Sequence, residues 1–364
     1  MKLQRIEIKQ LRNIDTAYIE PSQRVNIICG ANAAGKTSLL EAIYFLSCGR
    51  SFRMPRTAAL IREKKENFSI VASLCEKGLS PIKLGVSYSK QQLKMRAGGV
   101  TLTRTSKLAN YLPIIAVHQE STRIFTHGPK YRRQLLDWGL FHVEHSFQIL
   151  WRRYVRVLKQ RNVALRKHAS VKEISIWDGE LIDSATRIDN LRRRYVSALI
   201  EHYKAYCSRL LGEGMGFSID YYPGWSVHEG YECALTKSLE KDRHYGYTRA
   251  GVHRADLSFK IDGHGLQDVA SRGQQKLLVY AVYLSQAALF YASTSRSSII
   301  LVDDLEAELD KIHAERLYKL LVDLKNQVFI TTTKQGGLSI FRQLTNTEDI
   351  KVFHVEHGKI SEMV

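Results

Sequence analysis

Gly30-Ala31-Asn32-Ala33-Ala34-Gly35-Lys36-Thr37, with Ser38 next, follows directly on the run Val25-Asn26-Ile27-Ile28-Cys29. The order is strand, glycine-rich turn, helix, which is the context a phosphate-binding loop requires. Gly30 and Gly35 let the backbone curl so that N–H groups from Ala31 through Ser38 point at phosphate oxygens where a side chain would block the approach. Lys36 is spaced to reach β- and γ-phosphates, and the Thr37 hydroxyl is a Mg²⁺ ligand. The apolar helix that follows aims the positive end of its dipole at the same anion. The stretch predicts an α/β fold that binds a nucleoside triphosphate.

A second constellation lies more than two hundred residues downstream. Ser298-Ile299-Ile300-Leu301-Val302 reads as a buried strand and ends in Asp303-Asp304. A carboxylate at the C-terminal end of such a strand is where P-loop enzymes hold Mg²⁺, so Asp303 is the expected metal partner and Asp304 is placed to polarise the attacking water. Upstream, Ala270-Ser271-Arg272-Gly273-Gln274-Gln275-Lys276 leads into a long apolar helix. Ser271 to Gln274 resembles the Ser-Gly-Gly-Gln signature of the ABC ATPases, with Arg272 in place of the first glycine. In that family the signature caps the γ-phosphate held by a partner subunit, so Ser271, Arg272, Gly273 and Gln274 are expected to bind ATP in trans. The physics is a helix N-terminus with a hydroxyl and a glycine N–H directed at an anion.

The spacings carry the resemblance further. Leu11-Arg12-Asn13, residues 30–43, Cys48-Gly-Arg-Ser-Phe-Arg53, Gly128-Pro-Lys-Tyr-Arg-Arg-Gln-Leu-Leu-Asp-Trp138, His253-Arg-Ala-Asp256, residues 271–278 and residues 301–310 together resemble the RecF family, short-armed relatives of the SMC proteins. The chain departs from that pattern at Val252, where a proline usually precedes His-Arg, and at Glu306-Ala307, where Ala-Ser is usual. It departs again at Gln119, where Pro-Glu is more frequent, although ABC enzymes keep a Mg²⁺-sensing glutamine near that place. The resemblance implies a weak DNA-dependent ATPase of the cytoplasm, with ATP and Mg²⁺ as cofactors and Lys36, Asp303 and Asp304 as catalytic residues. Thr37, Asp303 and Gln119 would hold the metal. It further implies an ATP-dependent homodimer that clamps double-stranded or gapped DNA and releases it on slow hydrolysis. RecO and RecR as partners in loading RecA, and a place in the SOS response to DNA damage, come with it. The alternatives are an ABC-type ATPase subunit of a transporter or of a nuclease complex. The basic helical segment described below opposes the first, and the lack of a zinc-hook cysteine pair and long arms opposes the second.

Composition agrees. The 364 residues carry 54 Lys+Arg against 36 Asp+Glu, a formal charge of +18, which points to a polyanionic partner, nucleic acid first. No uninterrupted apolar run approaches the roughly 18 residues of a membrane span, so no membrane partner is expected. The N-terminus alternates like a strand rather than a signal peptide. Five scattered cysteines without a Cys-x-x-Cys pair predict a reducing compartment and no structural zinc.

Periodicity divides the chain. Residues 1–110 read as the N-terminal part of an ABC-type ATPase domain, with alternating runs at 3–8, 68–74 and 82–88 that suggest an antiparallel sheet. Residues 111–211 read as an inserted, basic, helical lobe, proline-free from 131, and residues 212–364 as the rest of the ATPase domain. The fold class is therefore an ABC/SMC-head-like P-loop ATPase with an inserted helical lobe and no long coiled coil. Within the lobe Trp151, Val155 and Leu158 form one stripe, and Arg152, Arg156 and Lys159 the opposite one. With Arg132 and Arg133 these cations are the expected DNA-backbone contacts, which would carry little sequence information. His142-Val-Glu-His145 and His354-Val-Glu-His357 lack a third metal ligand nearby and read as packing. His253-Arg254 reads as a functional element, since short polar groups there are an odd choice for core.

Overall fold

The computed structural model describes residues 1–363 apart from 77, 79, 305–308, 325 and 334–348. The chain forms two compact units, Met1–Ser121 with Phe290–Val364, and Thr122–Leu289.

The first unit is built on two sheets. A mostly parallel one has the strand order 359–363, 350–356, 25–29, 327–332, 299–302, 114–117, and only its first strand runs antiparallel. Strands Val25–Cys29, Ile299–Val302 and Gln327–Thr332 are buried at every position. Continuous burial is what a parallel sheet covered on both faces demands; Ile299–Val302 is apolar throughout, while Asn26, Gln327, Thr331 and Thr332 are polar residues buried in the other two strands. One strand, Gln327–Thr332, separates the P-loop strand from the strand that ends at Asp303. The second sheet is antiparallel, in the order 14–19, 2–11, 67–75, 82–89, 92–97, 100–101. Its strand Asn67–Cys75 alternates buried with more open positions, so only one face meets the core. Helix Lys36–Cys48 shares one apolar core with residues from both sheets, among them Leu40, Ile43, Phe45, Phe68, Ile70 and Leu301. Ten of its thirteen residues are buried.

The second unit is mainly helical: Pro129–Val143, Phe147–Arg166, Val171–Ser175, Asp178–Leu211 and Gly230–Tyr245. Its longest helix has 34 residues, about 50 Å at 1.5 Å per residue, which is short beside an SMC arm. The unit does not end where helical periodicity ends at 211. Strands Phe217–Tyr222 and Asp256–Ile261 pair with each other, and their rings pack on the long helix, Tyr203 lying 6.3 Å from Phe217 and 5.8 Å from Phe259. The returning strands thus close the helical unit's own core, and the N-terminal part of helix Arg272–Thr294 belongs to the same unit. That helix is long and apolar enough to cross a membrane by composition, which differs from the expectation drawn from apolar runs. It is 67% buried over its most apolar window, as a core helix is.

Several lobe cations turn out to be structural. Arg161 is fully buried and donates to Asp178, Asp242 and Thr248 at 2.8–2.9 Å. Arg192, also fully buried, donates to Asp137 and to the Val252 carbonyl. The buried stripe of helix Phe147–Arg166 is Phe147, Tyr154, Val157, Arg161 and Leu165, and Val155, expected inside, is 43% exposed. His253 is partly buried and held at both ring nitrogens. Its Nδ1 lies 2.6 Å from the Tyr154 hydroxyl and its Nε2 3.0 Å from the Thr248 carbonyl. A carbonyl can only accept, so Nε2 carries the proton and Nδ1 accepts from the tyrosine. Burial pushes the imidazole pKa down to about 4, which keeps it neutral. These bonds give His253 a structural role between Tyr154 and Thr248.

Candidate functional site

The P-loop curls as its glycines allow. Gly30 has φ 154°, and a Cβ there would meet the Val355 carbonyl oxygen at 2.3 Å. Gly35 has φ 119°, and a Cβ there would fall 2.7 Å from the Asn13 side chain. Alanine at either place would clash or push the backbone into a region L-residues avoid. Helix Lys36–Cys48 starts at Gly35 with no side-chain cap and no acidic residue in its first turn. By contrast Asp310 caps helix Lys311–Asp323 with its own carboxylate. The uncapped N–H groups of the P-loop helix are suited to an anion.

Lys36 is buried, and its ammonium donates to the carbonyls of Gly30 at 2.8 Å and Ala31 at 2.9 Å. Burial lowers its pKa, while Asp304 and Asp303 pull the other way. The Thr37 hydroxyl sits 2.9 and 3.1 Å from the two oxygens of Asp303. Thr331, from the intervening strand, donates its hydroxyl to Asp303 at 2.8 Å and accepts the Asp304 N–H at 2.7 Å. Asp304 has φ 54°, a left-handed conformation that Asp and Asn tolerate best among residues with a Cβ. Adjacent hard oxygens on Thr37 and Asp303 are the donor set a small divalent cation takes.

One cavity gathers these groups. Asn32, Ala33, Gly35, Lys36, Thr37, Ser38, Asp303 and Asp304 line it, as expected from the sequence. So does Arg53, which with Arg50 and Arg56 the sequence offers to nucleotide or DNA alike, and so do Arg12, Asn13, Thr331 and Thr333, to which spacing gave no site role. Gly30, Ala31 and Ala34 are not in the lining, and the Ala34 carbonyl accepts from Asn13 Nδ2 and from the Gly358 N–H. Gln119 is exposed, two residues beyond strand Ile114–Val117, and does not line the cavity.

Ser271 and Gln274 form a reciprocal cap. The Ser271 hydroxyl accepts the Gln274 N–H at 3.2 Å, and Gln274 Oε1 accepts the Ser271 N–H at 2.9 Å. The hydroxyl keeps its own proton to donate, while Arg272 and Gly273 occupy the first turn of helix Arg272–Thr294.

The five expected DNA contacts divide. Arg132 is spent on a bidentate pair with Asp256 and on the carbonyls of Ile124 and His127. Arg133 is half-buried, donates to the Ala255 carbonyl, and has its pKa lowered by burial. These two are removed from the exposed set, in part by partners at Asp256 and Ala255 that arrive more than a hundred residues later. Arg152, Arg156 and Lys159 are exposed on helix Phe147–Arg166, with Arg152 donating to Gln148 of its own helix. The five cysteines are free, and no cluster able to hold a metal through His, Cys, Asp and Glu alone occurs among the described residues. Glu306 and Ala307 lie outside the described residues.

Residues 2–361 match the family model described as the RecF/RecN/SMC N terminal domain. The DNA replication and repair protein RecF of Cellvibrio japonicus is 38% identical over 367 residues, 99% of each chain. RecF of Pseudomonas fluorescens is 38% identical, covering 100% of this chain and 98% of its own. Among solved structures, the recombination mediator protein RecF-ATP of the RecFOR pathway superposes with a TM-score of 0.87 at 25% identity, over 100% of this chain and 98% of that one. An SMC head bound to the C-winged helix domain of ScpA shares the fold, with a TM-score of 0.62 at 14% identity over 100% and 98%.

Proposed function

The chain belongs to the RecF family, and from that premise we propose that it is an ATPase of DNA repair and recombination that closes on DNA as an ATP-dependent homodimer. The observation that carries the reading is the Thr37–Asp303 contact, which joins the P-loop to a strand-end carboxylate inside one cavity. The curled glycines, the uncapped helix start and Lys36 would hold the triphosphate of ATP. Thr37 and Asp303 would hold Mg²⁺, which when bound neutralises charge on the phosphoryl group being transferred. Asp304 would orient the attacking water and accept its proton. Ser271, Arg272, Gly273 and Gln274 would meet the nucleotide of a second copy. Slow hydrolysis, stimulated by DNA, would then release the pair. Double-stranded and gapped DNA are the substrates, RecO and RecR the partners in loading RecA, and the cytoplasm the compartment. Sedimentation with ATP, with and without gapped DNA, tests the reading. A monomer–dimer shift that needs ATP and tightens with DNA is expected, and a monomer under every condition would refute it.

The DNA surface in this reading is the exposed trio Arg152, Arg156 and Lys159. Phosphate contacts release counterions, so affinity should fall steeply with salt. Reversing all three to Glu should lower the log–log salt slope by about three and weaken all duplex sequences alike. ATP affinity should survive, because none of the three lines the nucleotide cavity. Unchanged DNA affinity in the triple variant would place the DNA surface elsewhere.

A further inference from the structure

Glu41 is a carboxylate with no exposure, one turn inside the P-loop helix and on the same face as Thr37 and Ser38. An isolated buried charge there would be costly, so its partners define its purpose. It takes the Arg12 guanidinium bidentately, Nε to Oε2 at 2.9 Å and Nη2 to Oε1 at 3.1 Å. It also accepts the Ser51 hydroxyl. The Ser51 oxygen in turn accepts the N–H groups of Arg53 and Met54, at 2.9 and 2.8 Å, and so shapes the turn from which Arg53 projects. Arg12 stands at a strained hairpin tip, with φ 56° at Arg12 and 58° at Gln10, tied to the neighbouring segment through the Leu60 and Ala59 carbonyls. Two cations from separate loops thus line the nucleotide cavity, and one buried carboxylate on the P-loop helix organises both.

The phosphate end of that cavity is already furnished by Lys36, Thr37, Asp303 and Asp304. Arg12 and Arg53 have no hydrogen bond to either aspartate among the described residues. A guanidinium held in plane by a bidentate carboxylate offers a flat face and spare N–H donors, which suit a planar base or ribose hydroxyls. We propose that Glu41 is a positioning residue that sets Arg12 and Arg53 against the nucleoside end of the bound nucleotide. The inference rests on the reading of this cavity as the ATP site.

The test compares two ligands on the full chain with Mg²⁺, ATP and inorganic tripolyphosphate, by calorimetric titration. Glu41→Gln keeps the shape but weakens the grip on both arms. It should raise the Kd for ATP about tenfold and that for tripolyphosphate less than about twofold. The KM for ATP should rise with it while kcat stays within about twofold. Arg12→Gln should behave similarly, and adding it to Glu41→Gln should cost little more than the worse single variant, because the two act as one unit. Equal losses on both ligands, unchanged ATP affinity, or independent effects in the double variant would each overturn the proposal. Should Glu41→Gln fail to fold, Ser51→Ala releases only the Arg53 turn. It should cost about threefold in ATP affinity and leave tripolyphosphate unaffected, and no change for ATP overturns the proposal. Wild-type protein that binds tripolyphosphate but not ATP would instead strike the underlying nucleotide reading.

Discussion

Lys36→Met should remove ATP hydrolysis, by a factor of at least about a thousand, and abolish ATP-driven dimerisation. The side chain that would face the phosphates is buried and holds the carbonyls of Gly30 and Ala31. Methionine of similar length fills the space but donates nothing, so the loop loses its cation and both internal bonds together. That also costs local stability, about 1–3 kcal/mol for acceptors left unsatisfied in a partly buried setting. A modest loss of thermal stability should therefore accompany the loss of turnover. Lys36→Arg keeps the charge, yet its planar fork is a poor replacement for a compact ammonium pinned between two carbonyls. It should retain some nucleotide binding and little turnover. A coupled phosphate-release assay, with thermal unfolding run on the same samples, separates the two effects. Wild-type turnover by Lys36→Met would refute the P-loop assignment.

What was legible in the sequence was whatever is local. The P-loop, the Asp303-Asp304 pair and the Ser271–Gln274 cap are short strings whose geometry follows from their own spacing. The strands at 25–29 and 299–302 announced themselves as mainly apolar runs because a parallel strand is buried on both faces. The unread part of the cavity is non-local. Arg12 and Asn13 come from a hairpin tip, and Thr331 and Thr333 from the end of the strand inserted between the two motif strands. No periodicity in one dimension says that a threonine at 331 will bridge Asp303 and Asp304. The same cause misjudged charge. Arg132 and Arg133 looked like free cations because Asp256 and the Ala255 carbonyl, which hold them, lie 124 and 122 residues away. A run of basic residues is therefore weak evidence for a polyanion until each partner is known, and Arg152, Arg156 and Lys159 are stronger candidates because they remain exposed.

Ser271→Arg and Asp304→Asn should separate the two halves of the proposed composite site. Ser271 does not line the nucleotide cavity, so the Ser271→Arg monomer should bind ATP with unchanged affinity. It loses the helix cap to Gln274, worth about 1 kcal/mol, and places a long cation where a second copy's nucleotide would dock. Ser271→Ala removes the cap alone, so a dimerisation defect confined to Ser271→Arg isolates the steric and electrostatic block. Asp304→Asn acts on the other half. Asparagine accepts the left-handed backbone found at this position, and the N–H bond to Thr331 is unaffected by the change. Only the ability to take a proton from water is lost, so turnover should fall about 10²–10⁴-fold while ATP stays bound. Dimer lifetime in ATP should lengthen in step, because hydrolysis is the proposed release event. Measured side by side by nucleotide titration and by dimer dissociation after dilution, one variant should bind without pairing and the other should pair without letting go. Equal loss of ATP affinity in both would mean that Ser271 and Asp304 serve a single intramolecular site, and the shared-interface reading would fall.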